Sequence, residues 1–151
     1  MGVSVDASYL SLNKYQEELC GDKVEILKTD QTNTIILADG MGSGVKANIL
    51  STLTSKILGT MFLNGATTED IVETIIKTLP VCQVRKVAYS TFSILQISYD
   101  GQAYLVEFDN PPCIVIRDGK QLFLPSEEKV IEGKKIKESR FAVKPGDSLI
   151  L

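Results

Sequence analysis

Along the 151 residues the spacing of apolar positions changes twice. At the start, "GVSVDASYL" alternates Val3, Val5, Ala7 and Tyr9 with small or polar neighbours, which predicts a half-buried strand. "SLNKYQEELCGD" has no period and reads as a loop. "KVEILK" alternates weakly and predicts a second strand. "NTIIL" is apolar throughout and predicts a third, central one. Thr29, Asp30 and Gln31 fall in the turn between these two.

After the glycines of "TIILADGMGSG" the period lengthens. Ile49, Leu50, Leu53, Ile57, Met61 and Phe62 recur at three and four, which predicts a helix that buries this face. Asn64-Gly65 suits its C-terminal end. "TTEDIVETIIKTLP" predicts a second helix. Thr67 and Asp70 have the spacing of a capping box, Glu69 and Asp70 suit the first turn, and Pro80 stops it. Ile71, Val72, Ile75, Ile76 and Leu79 form its apolar face.

From Thr91 the period returns to two. "TFSILQISY", Asp100-Gly101 and "QAYLVEF" predict a hairpin. "CIVIR", Asp118-Gly119 and "KQLFL" predict another. "KVIEG" and "RFAV" are shorter strands, and Pro145-Gly146-Asp147 turns the chain into "SLIL". Strands in blocks, with two helices between them, predict an α+β fold with antiparallel sheet and helices packed on it. No repeat, low-complexity segment or linker divides residues 1–151, so one domain is expected. An apolar strand is an odd place to finish a domain, so this one is expected to be incomplete at its C-terminus.

Composition narrows the chemistry. The net charge is −3 with no basic stripe, which argues against nucleic acid as the main partner. There is no histidine, which removes imidazole bases and His-rich metal sites. The three cysteines, Cys20, Cys82 and Cys113, are far apart and form no zinc pattern. Cys82 lies in "PVCQVRK" with Arg85 close behind, but a cysteine-dependent phosphatase needs a longer phosphate-cradling loop, and a structural thiol fits better. No apolar run is long enough to cross a bilayer and no signal peptide opens the chain. A cytoplasmic protein with reduced thiols is expected.

One stretch carries candidate chemistry. A strand ends at Asp39, and Gly40, Gly42 and Gly44 follow. Gly42 to Ala47 fits a degenerate dinucleotide loop, but a second helix follows where a parallel strand is needed. The P-loop form fails because Val45 stands at its second glycine. A turn or cap role for Asp39 is a structural alternative. A metal site is the third reading. Hard divalent cations take carboxylate and carbonyl oxygens, and Gly40 offers an open carbonyl. Asp22, at the start of the preceding strand, comes to the same sheet end if the two strands form a hairpin. Two ions held in this way can activate water for displacement at phosphorus without a histidine.

The residues "CGDKVEIL", "IILADGMGSGVKAN", "TFSILQI", "DGQAYLVEFDNPPCIVIRDGK" and "PGDSLIL", in this order, resemble the bacterial metal-dependent serine/threonine protein phosphatases of the PPM type, in the stage II sporulation protein E branch. The resemblance implies an α-β-β-α sandwich of two antiparallel sheets flanked by helices. It implies that Asp22 is a metal ligand, that Asp39 bridges two Mn²⁺ or Mg²⁺ ions, and that Gly40 gives its main-chain carbonyl to one of them. The reaction would be hydrolysis of phosphoserine or phosphothreonine by a water activated between the ions. The substrate would be a phosphorylated regulatory protein of the anti-anti-sigma-factor type. By the same resemblance the two helices are a candidate regulatory element, with plain core packing as the alternative for most of their apolar residues. Ser43 stands where a histidine is common in the family, at a position that does not bind metal. The family's later Ser/Thr-Asp-Gly and Asp-Asn ligands do not lie in these 151 residues, and Asp109-Asn110 before "PP" belongs to a turn. The resemblance therefore implies an active parent protein and an inactive 151-residue stretch. A pseudophosphatase or phosphoprotein-binding module of the same fold is the alternative.

Overall fold

The computed structural model describes residues 2–42, 44–78 and 90–151. The elements run β1 (Asp22–Lys28), β2 (Thr32–Gly40), α1 (Gly44–Leu63), α2 (Thr68–Thr78), β3 (Ser90–Ser98), β4 (Gln102–Phe108), β5 (Ile114–Arg117), β6 (Lys120–Leu122), β7 (Glu127–Ile131), β8 (Lys134–Ala142) and β9 (Ser148–Ile150). A six-stranded sheet has the order β1-β2-β3-β4-β8-β7, and a three-stranded sheet the order β6-β5-β9. Both are antiparallel, as the block pattern of the sequence predicts. β2 lies between β1 and β3, which agrees with its continuous apolar run.

Period-two alternation divides the large sheet into two faces. Ile36, Ala38, Phe92, Ile94, Val106, Phe108 and Ile136 pack with Leu58 of α1 and Ile71, Val72 and Ile75 of α2. Leu95, Ile97, Ala103 and Leu105 point the other way and meet Cys113 and Val115 of the small sheet. The layers are helices, large sheet, small sheet. Both α1 and α2 lie on the large sheet's outer face, and among the described residues no helix covers the small sheet. Between the sheets a cavity of about 590 Å³ is lined by Val24, Ile26, Ile35, Leu37, Leu95 and Ile97 among others; Asp22 and Asp39 are not in its walls.

Turns and caps follow local chemistry. Thr67 Oγ1 accepts the Asp70 amide at 3.2 Å and caps α2. At the end of α1, Gly65 has φ 79, its amide bonds the Phe62 carbonyl, and the Ala66 amide reaches Met61. This is a Schellman closure, which a side chain at Gly65 would strain. In the Pro145-Gly146-Asp147 turn, the Asp147 carboxylate takes Arg117 Nε at 2.8 Å and Nη2 at 2.7 Å, and also the Lys144 amide at 2.8 Å. That fork binds the turn to β5. α2 is anchored at its start by Thr68, whose hydroxyl lies 2.6 Å from that of Tyr104. Tyr104 in turn donates to Glu138 Oε1 at 2.8 Å, Lys129 Nζ lies 3.1 Å from Oε2, and Arg140 covers the tyrosine ring at 4.4 Å.

Two expectations are corrected. "GVSVDASYL" is not a strand. Val3, Val5 and Ala7 are partly buried in alternation, and Val3 and Val5 pack on the inter-sheet core. Among the described residues one ladder-like bond forms, from the Val3 amide to the Tyr99 carbonyl, so the burial pattern exists there without a paired edge. Tyr9 is 63% exposed. The second correction concerns α1. Its buried face is Gly44, Ala47, Leu50, Ser51, Thr54, Ser55, Leu58 and Gly59, whereas Ile49 and Leu53 are exposed. α1 lies so close to β1 and β2 that small residues fill the contact. A Cβ at Gly59 would meet Leu27 Cδ1 at 3.2 Å and Ile36 Cδ1 at 3.5 Å. The buried hydroxyls cost little because each bonds its own helix: Ser51 to Asn48 O, Thr54 to Leu50 O and Ser55 to Thr52 O. Ile57, Met61 and Phe62 do pack on the core, as expected. Leu79, Pro80 and Cys82 lie outside the described residues.

Candidate metal centre

The β1–β2 hairpin pairs Asp22 directly with Asp39. Opposed residues of an antiparallel pair present their side chains to the same face, so both carboxylates stand together at one end of the sheet. Their face is the inner one, shared with Leu37, Val24 and Ile26 and opposite to Ile36 and Ala38. Both residues are exposed at the sheet end. Even so, the protein wall behind Asp39 and the Asp22 carboxylate beside it push the Asp39 carboxyl up from 3.8 to about 6. Burial is the largest cause, followed by the hydrogen bond and the charge of Asp22.

Gly40 closes β2 and is buried. Its amide donates to the Gly21 carbonyl at 2.9 Å, which extends the hairpin register past Asp22. A Cβ on Gly40 would lie 2.0 Å from the Ala47 carbonyl oxygen in α1, so glycine is required here by space. α1 is tied to the other strand as well: Asn48 Nδ2 donates to the Cys20 carbonyl at 2.9 Å. The first turns of α1 thus bear on the backbone next to both aspartates.

The pair has the donor set of a hard-cation site: two adjacent carboxylates with a buried glycine backbone next to one of them. Their mutual repulsion is what a divalent ion would relieve. Among the described residues, no third Asp, Glu, Cys or His joins to complete a cation site. Of the residues named from the sequence, Asp22, Asp39 and Gly40 come together, and Ser43 lies outside the described residues. The dinucleotide reading fails because β2 has antiparallel neighbours on both sides and α1 leads into α2, not into a parallel strand.

Thr91 and Asn110 were not legible as site residues. Thr91 is the β3 partner of Asp39, and its hydroxyl donates to Asn110 Oδ1 at 2.6 Å. Asp109, at φ 56, makes the expected turn, but Asn110 folds back onto the sheet. The only available signal was a polar pair ahead of two prolines, which a turn alone explains.

Comparison with solved structures identifies the fold. The chain is similar to the PP2C phosphatase domain with a fragment of the regulatory domain of SpoIIE from Bacillus subtilis, with TM-score 0.75 and 19% identity over 93% of this chain and 43% of that one. It is similar to RsbX in complex with magnesium, with TM-score 0.68 and 24% identity over 93% of this chain and 69% of that one. It is also similar to the RsbU and RsbW domains of a Mycobacterium tuberculosis protein, with TM-score 0.71 and 16% identity over 91% of this chain and 40% of that one. The fold is therefore that of the PP2C phosphatase domains, and the chain spans less than half of that SpoIIE chain, which includes part of its regulatory domain. The family model for Stage II sporulation protein E (SpoIIE) matches residues 29–151, and the chain belongs to that family. No curated protein matches it. Among the described residues no helix is long and apolar enough to cross a membrane.

Proposed function

We propose that the chain carries the metal-holding part of a protein serine/threonine phosphatase, within a PPM-type domain of which residues 1–151 are an incomplete portion. Asp22 and Asp39 give carboxylate oxygens, and Gly40 its main-chain carbonyl, to Mn²⁺ or Mg²⁺. The observation that carries this reading is the registered Asp22–Asp39 pair, with Asp39 pushed up to about 6. Bound ions would supply an activated water and neutralise charge on the phosphoryl group. The hairpin fixes the separation of the two carboxylates, and the Gly40–Ala47 contact fixes the height of the Gly40 carbonyl. RsbX is described with magnesium, which favours a hard cation here. The neighbours that include an RsbU and RsbW domain pair and a bacterial stressosome component favour a phosphorylated regulatory protein as substrate. A cytoplasmic setting accords with such a substrate.

The test is Mn²⁺-dependent hydrolysis of a phosphoserine peptide by the full-length protein, by the 151-residue chain and by full-length Asp39→Asn. Turnover by the first alone supports the proposal. A second reading is a phosphoprotein-binding module of the same fold without turnover, which loss of the family's later aspartates from the full-length protein would favour. It predicts a silent full-length protein that still binds a phosphorylated partner.

A further inference from the structure

Asn110 stands outside the candidate metal set, yet its side chain is tied to the strand beside Asp39. Nδ2 donates to Ser93 Oγ at 3.0 Å and lies 3.5 Å from the Leu37 carbonyl oxygen. A carbonyl can only accept, which fixes the amide orientation and leaves Oδ1 for the Thr91 hydroxyl at 2.6 Å. The segment that presents Asn110 is braced. Asp109 takes φ 56, Pro111 and Pro112 follow, and the Glu107 carboxylate accepts the Cys113 amide at 2.8 Å across the loop.

Thr91 is the register partner of Asp39 and faces the same way. A hydroxyl in that position is within reach of the carboxylate and would donate to it, since a charged acceptor makes the stronger bond. In the structure the Thr91 proton goes to Asn110 instead. The geometry points to Asn110 as a positioning residue of the metal site: it draws the Thr91 hydroxyl away from Asp39, so that this hydroxyl does not occupy a carboxylate oxygen that a divalent cation would take. This inference rests on the metal reading proposed above.

The Mn²⁺ dissociation constant of the full-length protein, followed by the electron paramagnetic resonance signal of free Mn²⁺, tests it. Asn110→Ala and the milder Asn110→Ser release Thr91, and each is expected to weaken Mn²⁺ binding by about fivefold, the worth of one competing hydrogen bond. Adding Thr91→Val to Asn110→Ala removes the competing hydroxyl and is expected to restore affinity to within about twofold of wild type. Thermal unfolding confirms that each variant is folded, and Asn110→Ser carries the test if Asn110→Ala does not fold. Unchanged affinity in the Asn110 variants, or a loss that Thr91→Val does not repair, overturns the assignment and leaves Asn110 as a loop brace. A wild-type protein that does not bind Mn²⁺, or an Asp39→Asn protein that binds as well as wild type, overturns the metal reading itself and this inference with it.

Discussion

Replacing Gly40 with alanine probes the join between the candidate site and α1. The added methyl would lie 2.0 Å from the Ala47 carbonyl oxygen, 2.8 Å from its carbon and 3.0 Å from its Cα. All three atoms belong to backbone, so no side chain can turn aside. α1 has to move by roughly an ångström or more to restore normal contact. That shift loosens the packing of Ala47, Leu50 and Ser51 on β2 and the Asn48–Cys20 bond. Overpacking of this kind costs ~3 kcal/mol, a large share of a total stability of order 5–15 kcal/mol. For a domain of this size the midpoint should fall by about 6–12 °C. Gly42→Ala is the internal control. Among the described residues nothing lies within 4 Å of its Cβ position, and its φ of 97 is what opposes a side chain, at a cost of about 1 kcal/mol. Urea unfolding followed by circular dichroism measures both. A Gly40→Ala protein no less stable than Gly42→Ala would refute the contact argument.

Four further outcomes are expected. Because the Asp39 carboxyl is raised from 3.8 to about 6, the native state holds its proton more tightly than the unfolded chain does. That contribution is fully present below 3.8 and is lost as pH rises through about 6. At full strength the shift is worth ~3 kcal/mol, but Asp39 is exposed and water screening cuts this to about 1 kcal/mol. Asp39→Asn should therefore be the more stable protein at pH 8 and equal to wild type at pH 3, as urea midpoints at the two pH values will show. Tyr104→Phe removes the hydroxyl between Thr68 and Glu138 and should cost about 1–2 kcal/mol in the same assay. Asp147→Asn weakens the fork to Arg117, whose hydrogen bond holds the Asp147 carboxyl below its usual range. Wild type should lose this stabilisation as acid protonates Asp147, so the two proteins' melting temperatures should differ at pH 7 and converge in acid. Cys113 is buried and its thiol is pushed up to about 11, while Cys20 is half-buried. Iodoacetamide followed by mass spectrometry should mark Cys20 before Cys113, and faster labelling of Cys113 would contradict the burial.

Much of the architecture was written in local patterns. The two helices, both Asp-Gly hairpins and the Asp22–Asp39 approach follow from periodicity and turn residues that act over a few positions. The buried face of α1 was hidden because its apolar residues surround the helix and its contact with the sheet is made by Ala47, Ser51, Thr54, Ser55 and Gly59. Close approach selects small residues there, and hydropathy does not register closeness. The first segment misled for the opposite reason: Val3 and Val5 are buried in alternation, but strand pairing needs a free edge, which no local pattern reports. Asn110 was read as a turn residue because its partners, Thr91, Ser93 and Leu37, are distant in sequence and meet it only through the fold. Asp147 shows the same limit, since its role depends on Arg117 of another strand.

The most direct measurement is anomalous diffraction from crystals of the full-length protein grown with Mn²⁺, beside the same crystals of Asp39→Asn. The account predicts a peak between the Asp22 and Asp39 carboxylates at the end of the β1–β2 hairpin in the wild type, and its loss in the variant. Wild-type crystals with no peak there, and with the two carboxyls bonded to each other, would contradict it.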